Sequence, residues 1–518
     1  MRNTQGWKEY KSISTETQNS KMSFFKLETA IANVPVTQFI ISSLYRALNL
    51  NKSQGLDVWP NGVRLFKSIN DTSNQIPTHL TNHQFHELLL GALNIPKGRS
   101  KIEDQYLISP LIPEISSFGG AMRKGNSWNS GGYILQIIAN AATDDVVFEE
   151  IIEKLYFALS ASEVNVGGVW IDFLKSEFLS IGGKLDIDCS SNKFSDVKSD
   201  LVRTYRSNKV KKIYCESDFS KSVIRDLRNI CLIGSSNKVT RQQWIGLLES
   251  YFRLLVFNHS INTLNQSRAL FTSLIEILDS TGHREMTDSY FRKFINIDFT
   301  KESRVNKFLD VSSKADKFIN DNIVMYCQYN HFLDYLFESY DVKILSEMSK
   351  DDFISEINKL ITSIGDKSVL LEEFSKYKID FEELRNFISV KTDRQLAQIS
   401  ECLIYISQKK IIPKDIKAYI PDVNYLFSRR SGIQGNPYMF DLGSGTISLL
   451  TALIFKRKPE ISFLSGIEFI SALQEYNINL TIVDISAGPV KEVLQSLGIV
   501  IDSPDTEGGV LIVKPGWI

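Results

Sequence analysis

A chain of 518 residues is too long for one ordinary domain, and a formal net charge of -1 gives it no overall attraction to DNA or anionic lipid. With 43% apolar and 23% charged residues it is not a disordered polymer, and it carries enough apolar material for several cores. Five scattered cysteines, odd in number and without a C-x-x-C pair, exclude a zinc ribbon and a disulfide framework and point to a reducing, cytoplasmic setting. No run of about 18 apolar residues occurs, so no membrane partner is expected.

In chain order, residues 1–22 are polar, lack the apolar stretch of a secretory signal and read as a disordered lead, with Met22 as an alternative start. Residues 23–116 read as an N-terminal helical domain. Phe39, Ile40, Leu44, Ala47 and Leu48 keep helical spacing, and Thr81 caps a helix carrying Phe85, Leu88, Leu89 and Ala92. Residues 117–239 read as a mixed α/β region. It opens on a Gly/Ser/Asn-rich loop, Ser117 to Gly132, centred on Arg123 and Lys124. A helical pattern follows over Tyr133 to Ala158, then a short strand after Gly182-Gly183, then a basic stretch. Residues 240–412 read as a helical domain that starts at Thr240, with Trp244, Leu247, Leu248, Tyr251, Leu254 and Leu255 on one face. Within it, Ser349 to Asp352 begins a further helix with Ile357, Leu360 and Ile361 inward. Residues 413–445, bearing Pro413, Gly432, Gly435 and Pro437, read as a linker.

Residues 446–518 read as a compact module. Three helices are predicted, Thr446 to Lys456, Gly466 to Tyr476 and Gly488 to Leu497, the last ended by Gly498 as a left-handed cap. Two apolar β runs, Ile499 to Ile501 and Val510 to Val513, flank the turn sequence DSPDTEGG. Three helices followed by a hairpin, with the words L-x-S-L-G-I-V and S-P-D-T-E-G-G, resemble the winged-helix family over about 70 residues. That resemblance implies recognition of nucleic acid or protein. The charges turn the expectation toward protein. Phosphate would be repelled by Asp502, Asp505 and Glu507 in the wing, while the third helix offers Lys491 beside Glu492. The fold class expected for the whole chain is therefore mainly α, a multidomain helical body with minor β elements and a C-terminal winged-helix module.

The strongest nucleic-acid candidate lies upstream. Between Arg203 and Arg241 stand ten Lys/Arg against three acids. Lys221, Arg225 and Arg228 fall on one helical face, and Tyr205, Tyr214 and Phe219 interleave with Arg206, Lys209, Lys211 and Lys212. Cations suit phosphates and aromatics suit bases; the plainer reading is a solvated or partner-facing helix.

Three further patterns carry weaker chemistry. His79, His83 and His86 could present imidazoles to a metal, although histidines on a half-exposed helix usually lie idle. Asp186 and Asp188 share one side of a strand and, with Glu177, could hold Mg²⁺ for phosphoryl transfer; the plain alternative is a solvent-facing edge. Asp441-Leu-Gly-Ser-Gly-Thr resembles the first motif of Rossmann methyltransferases, but Ile447 replaces its next glycine and the 71 residues that follow are too few for the required sheet. No P-loop and no dinucleotide fingerprint occurs, and no cofactor is expected.

The functional expectation is a non-catalytic, nucleic-acid-associated or scaffolding component of a multi-protein bacterial system. In its general style the chain resembles the large accessory proteins of anti-phage defence islands. Its expected partners are proteins of that system, with DNA or RNA as a further class. The alternatives are a metal-dependent nuclease or phosphoryl-transfer enzyme, and a winged-helix transcription regulator.

Overall fold

The computed structural model describes residues 41, 44–45, 47–50, 130–160, 191–206, 218–236, 238–241, 243–256, 258–259, 277, 297–298, 350–363, 427–429, 438–440 and 442–518, the last with breaks at 477, 504 and 507–508. Among these residues the chain is mainly α. Helices α1 (Ser130–Ala141), α2 (Asp145–Leu159), α3 (Ser191–Arg206), α4 (Asp218–Gly234) and α5 (residues 243–256) form the body. α3 and α4 each pack on both α1 and α2.

The body's apolar stripes follow helical spacing. α2 buries Phe148, Ile151, Ile152, Leu155, Tyr156 and Leu159. α4 turns in Val223, Ile224, Leu227, Ile230 and Cys231, and α5 turns in Trp244, Ile245, Leu248, Tyr251 and Phe252. Ile41, Leu44, Tyr45 and Leu48 join the same core. α2 begins where the Asp144 carboxylate accepts the Val147 amide at 2.8 Å. The start expected at Thr240 is a capping box, with the Thr240 amide donating to Gln243 Oε1 at 3.0 Å and the Gln243 amide to Thr240 Oγ1 at 3.3 Å.

Two expectations are adjusted here. Ser130, Gly131 and Gly132, assigned to the glycine-rich loop, form the first turn of α1, because the Ile134, Leu135 and Ile138 face is buried and packing outweighs glycine's low propensity. The helical pattern of Tyr133 to Ala158 is broken at residues 142–144, where the Asp144 cap restarts the chain as α2.

α6 (Lys350–Thr362) starts where the acidic run predicts and buries Ile357 and Ile361. Three strand segments lie outside the body: β1 (Ile297–Asp298), β2 (Phe427–Arg429) and β3 (Tyr438–Phe440), of which β2 and β3 pair antiparallel inside the expected linker.

The C-terminal module runs α7 (Ser444–Arg457), β4 (Phe463–Ser465), α8 (Gly466–Gln474), β5 (Ile478–Asn479), α9 (Ile482–Ser486), α10 (Pro489–Ser496), β6 (Val500–Asp502) and β7 (Val510–Val513). The three predicted helices and the hairpin are present. At Gly498 (φ +66°) the chain turns by a Schellman motif, with Ile499 N donating to Leu494 O and Gly498 N to Gln495 O. β4 and α9 lie beyond the predicted elements. β4 is three residues long and exists through its pairing with β7, in which Leu464 faces Ile512; such pairing is non-local and leaves little local mark. α9 does carry a local signal, the Thr481–Asp484 capping box, but in only five helical residues. The sheet order is β4-β7-β6, all antiparallel, while β5 pairs parallel with β1.

Candidate functional site

Arg203, Arg206, Arg225, Arg228, Lys238 and Arg241 of the 203–241 stretch are each bonded within the protein. Arg206 ends α3 with its side chain 7% exposed. It donates from Nη1 to the carbonyls of Ala139 (2.7 Å) and Ala142 (3.0 Å), and from Nε to Asp145 at 2.5 Å. These are the orphan carbonyls at the end of α1, where a cation both hydrogen-bonds and complements the helix dipole. Arg241 performs the same service for α2, donating to Ala158 O at 3.1 Å and Leu159 O at 2.7 Å beside the Trp244 ring. Arg206 therefore sits in the body's interior rather than on the nucleic-acid surface expected of it. One signal for the other arginine is visible in the sequence: Arg241 precedes Trp244 by three and Ile245 by four, which places it on the apolar stripe.

Lys221, Arg225 and Arg228 do share α4 as the spacing predicts. Arg228 clasps Glu150 of α2 through Nη2 (2.5 Å) and Nε (3.0 Å), and the Glu150 carboxyl is held down at about 2, chiefly by that hydrogen bond and next by Lys154. Arg225 reaches Asp226 at 3.2 Å and Glu475 at 3.3 Å. Arg203 is exposed and pairs with Asp200 at 2.8 Å. Lys209, Lys211 and Lys212 lie outside the described residues, as do His79, His83, His86, Glu177, Asp186 and Asp188.

A cluster absent from the sequence-based expectations joins the body to the C-terminal module. Asp226 of α4 is 1% exposed. Its Oδ1 accepts from Arg457 Nη2 at 2.8 Å and from Arg225. Arg457, at the end of α7, also donates to Glu475 Oε2 at 2.5 Å and to the Tyr476 hydroxyl, and its guanidinium lies 5.0 Å from the Tyr476 ring. Burial pushes the Asp226 carboxyl up from its ordinary value, against the pull of the two guanidiniums. α7 packs directly on α4, and Lys238 donates to the Ile518 carbonyl at 3.1 Å as a further tie. The sequence assigns Arg457 only to its own helix dipole. The signal that could have found the cluster is Asp226, an acid three residues after Val223 and four before Ile230, inside an apolar stripe that demands a buried cation.

In the module, Lys491, which the sequence sets beside Glu492, pairs with Asp502 of the hairpin at 2.6 Å. Asp505 is exposed at the turn. Cys231 is buried, and that burial lifts its thiol to about 12, so it is no nucleophile at neutral pH. Among the described residues no group of three His, Cys, Asp or Glu could hold a metal ion, and no helix is long and apolar enough to cross a membrane. Comparisons with protein families, curated proteins and solved structures give no match to this chain.

Proposed function

We propose that the chain is a non-catalytic scaffolding component of a multi-protein bacterial assembly, and that its C-terminal module is a winged helix that docks protein. The observation that carries this reading is where the cations point. Arg206 and Arg241 bond body carbonyls, while Arg225, Arg228, Arg457 and Lys491 bond carboxylates. A phosphate backbone would have to displace these partners before gaining the counterion release that drives nucleic-acid binding.

The winged-helix reading is supported by element order: helix, strand, further helices and a hairpin, with the first strand joining the hairpin through β7. In that family the helix before the hairpin is the usual reader of a groove. Here that helix is α10, whose Lys491 is held by Asp502, and the hairpin itself bears Asp502, Asp505 and Glu507. The setting we propose, an anti-phage defence system, rests on the chain's resemblance in general style to the accessory proteins of defence islands. A helicase, nuclease or methyltransferase gene beside this one supports that setting, and a lone operon removes it.

The scaffolding role is tested with the full chain and a duplex of about 30 base pairs in an electrophoretic shift assay. No salt-sensitive binding is expected. Binding that falls about a thousandfold between about 50 and about 200 mM salt, and that is lost on Lys221→Glu, would overturn the role.

A further inference from the structure

α7 is buried along most of its length, at residues 446–447 and 449–455, and it packs on α4 of the body. The apolar surfaces of these two helices are poor keys. Along α7, Leu449 repeats one turn later as Leu453, and Leu450 as Ile454. Along α4, Val223 repeats as Leu227. Hydrophobic burial is non-directional. A slide of one helical turn, about 5.4 Å, would seat one aliphatic side chain where another had been. Packed helices do move past each other in such steps.

The charged cluster tolerates no such slide. Two of its bonds cross from body to module: Arg457 to Asp226 at 2.8 Å, and Arg225 to Glu475 at 3.3 Å. Bonds within the module, from Arg457 to Glu475 and to the Tyr476 hydroxyl, hold the guanidinium in place. A one-turn slide would carry Arg457 out of reach and leave Asp226, which is 1% exposed, with Arg225 as its remaining guanidinium. Away from the cluster, Lys238 on the Ile518 carbonyl gives a second fixed point against rotation. As a source of stability the cluster is poorly built. The cost of taking charges out of water offsets most of their attraction, and Arg457 Nε is buried without a hydrogen-bond partner.

We propose that the cluster of Asp226, Arg457 and Tyr476 is an orientation lock: it adds little to the strength with which the module is held, and it selects one seating of α7 on α4 among those the apolar surfaces accept. A buried polar group fixes register in helical assemblies by the same logic, because the wrong register leaves it unpaired. Removing one partner is a different change from removing the whole cluster, since it strands the other charge inside. The lock goes beyond the scaffolding role: it concerns how the module is carried, not what it meets.

The test replaces the whole cluster by apolar groups in the full chain: Asp226→Leu, Arg457→Met and Tyr476→Phe. Spin labels on unnatural residues at the exposed positions Asp196 of α3 and Gln495 of α10 report the distance from body to module by double electron–electron resonance. The unaltered chain should give one narrow distance. The triple variant should keep or exceed its urea midpoint, while its distance distribution splits or broadens by one helical turn, ~5 Å. Glu150→Leu with Arg228→Met, which removes an ion pair inside the body, should leave the single distance. A second version with Asp226→Val in place of Asp226→Leu guards against overfilling the site, and whichever version keeps its midpoint is read for distance. A lower midpoint or loss of fold in both versions overturns the lock, because the cluster would then be a source of stability. So does a single narrow distance in the triple variant, a broad one in the unaltered chain, or equal broadening in the body variant. Duplex binding bears on the scaffolding role alone and leaves the lock standing.

Discussion

Gly234 lies against the indole of Trp244, which is wholly buried and donates from Nε1 to the Ile230 carbonyl at 2.9 Å. A Cβ at residue 234 would meet Trp244 Cε2 at 2.4 Å and Nε1 at 2.5 Å. The ring has no room to retreat without losing its hydrogen bond. Gly234→Ala should therefore lower stability by about 1–3 kcal/mol, as overpacked cores do, read as a shift of the urea midpoint at unchanged slope. Gly246, where an added methyl meets nothing within 4 Å, is the matched control; Gly246→Ala should be neutral or slightly stabilising because α5 is helical there. The same close contact explains why Trp244 can be assigned to the core from spacing alone, whereas the glycine opposite it cannot. Trp244 announces itself by periodicity, and Gly234 is needed only because of what packs over it.

At the scale of elements, α2 and α4 are tied by Glu150 and Arg228, with Lys154 on the same carboxylate at 2.7 Å. The Glu150 carboxyl lies at about 2 in the folded chain against an ordinary 4.5. Because the folded value is the lower one, this contribution is present above pH 4.5 and is lost as pH falls toward 2. Both side chains are more than a third exposed, so the tie is worth about 1 kcal/mol or less at neutral pH. Glu150→Gln should flatten the fall of denaturant midpoint over that acid range while barely changing the midpoint at pH 7. A wild-type slope retained in the variant would assign the acid loss elsewhere. The helical register of Lys221, Arg225 and Arg228 is legible in the sequence. Their ion partners are not, since Glu150 and Glu475 lie 78 and 250 residues away from Arg228 and Arg225.

At the scale of the molecule, the C-terminal module is held to the body by a buried charge cluster rather than by apolar surface alone. Arg457→Met would leave the Asp226 carboxylate inside with Arg225 as its remaining guanidinium. Losing one partner of a buried pair costs about 3 kcal/mol or more, so unfolding should split into two steps, with limited proteolysis releasing the module first. Adding Asp226→Asn should recover part of the loss, giving a coupling term in the double-mutant cycle. Because burial raises the Asp226 carboxyl above its ordinary value of 3.8, its protonated form suits the folded state. Its stability contribution is therefore full below pH 3.8 and declines as pH rises through the folded value, opposite in sense to Glu150.

What the sequence determined by itself was the mainly α character, the helix start at Thr240, the cap at Gly498, and the three helices and hairpin of the C-terminal module. These follow from periodicity and local hydrogen bonding, which act within a few residues. It also determined that the wing is acidic. Tertiary structure alone decided that Arg206 and Arg241 close the ends of other helices, that Arg457 crosses to Asp226, that β4 exists, and that Phe463 and Ile501 share one outward face. The physical reason is common to all four. A charge or a short strand takes its meaning from its partner, and the partner is chosen by packing between segments far apart in the chain.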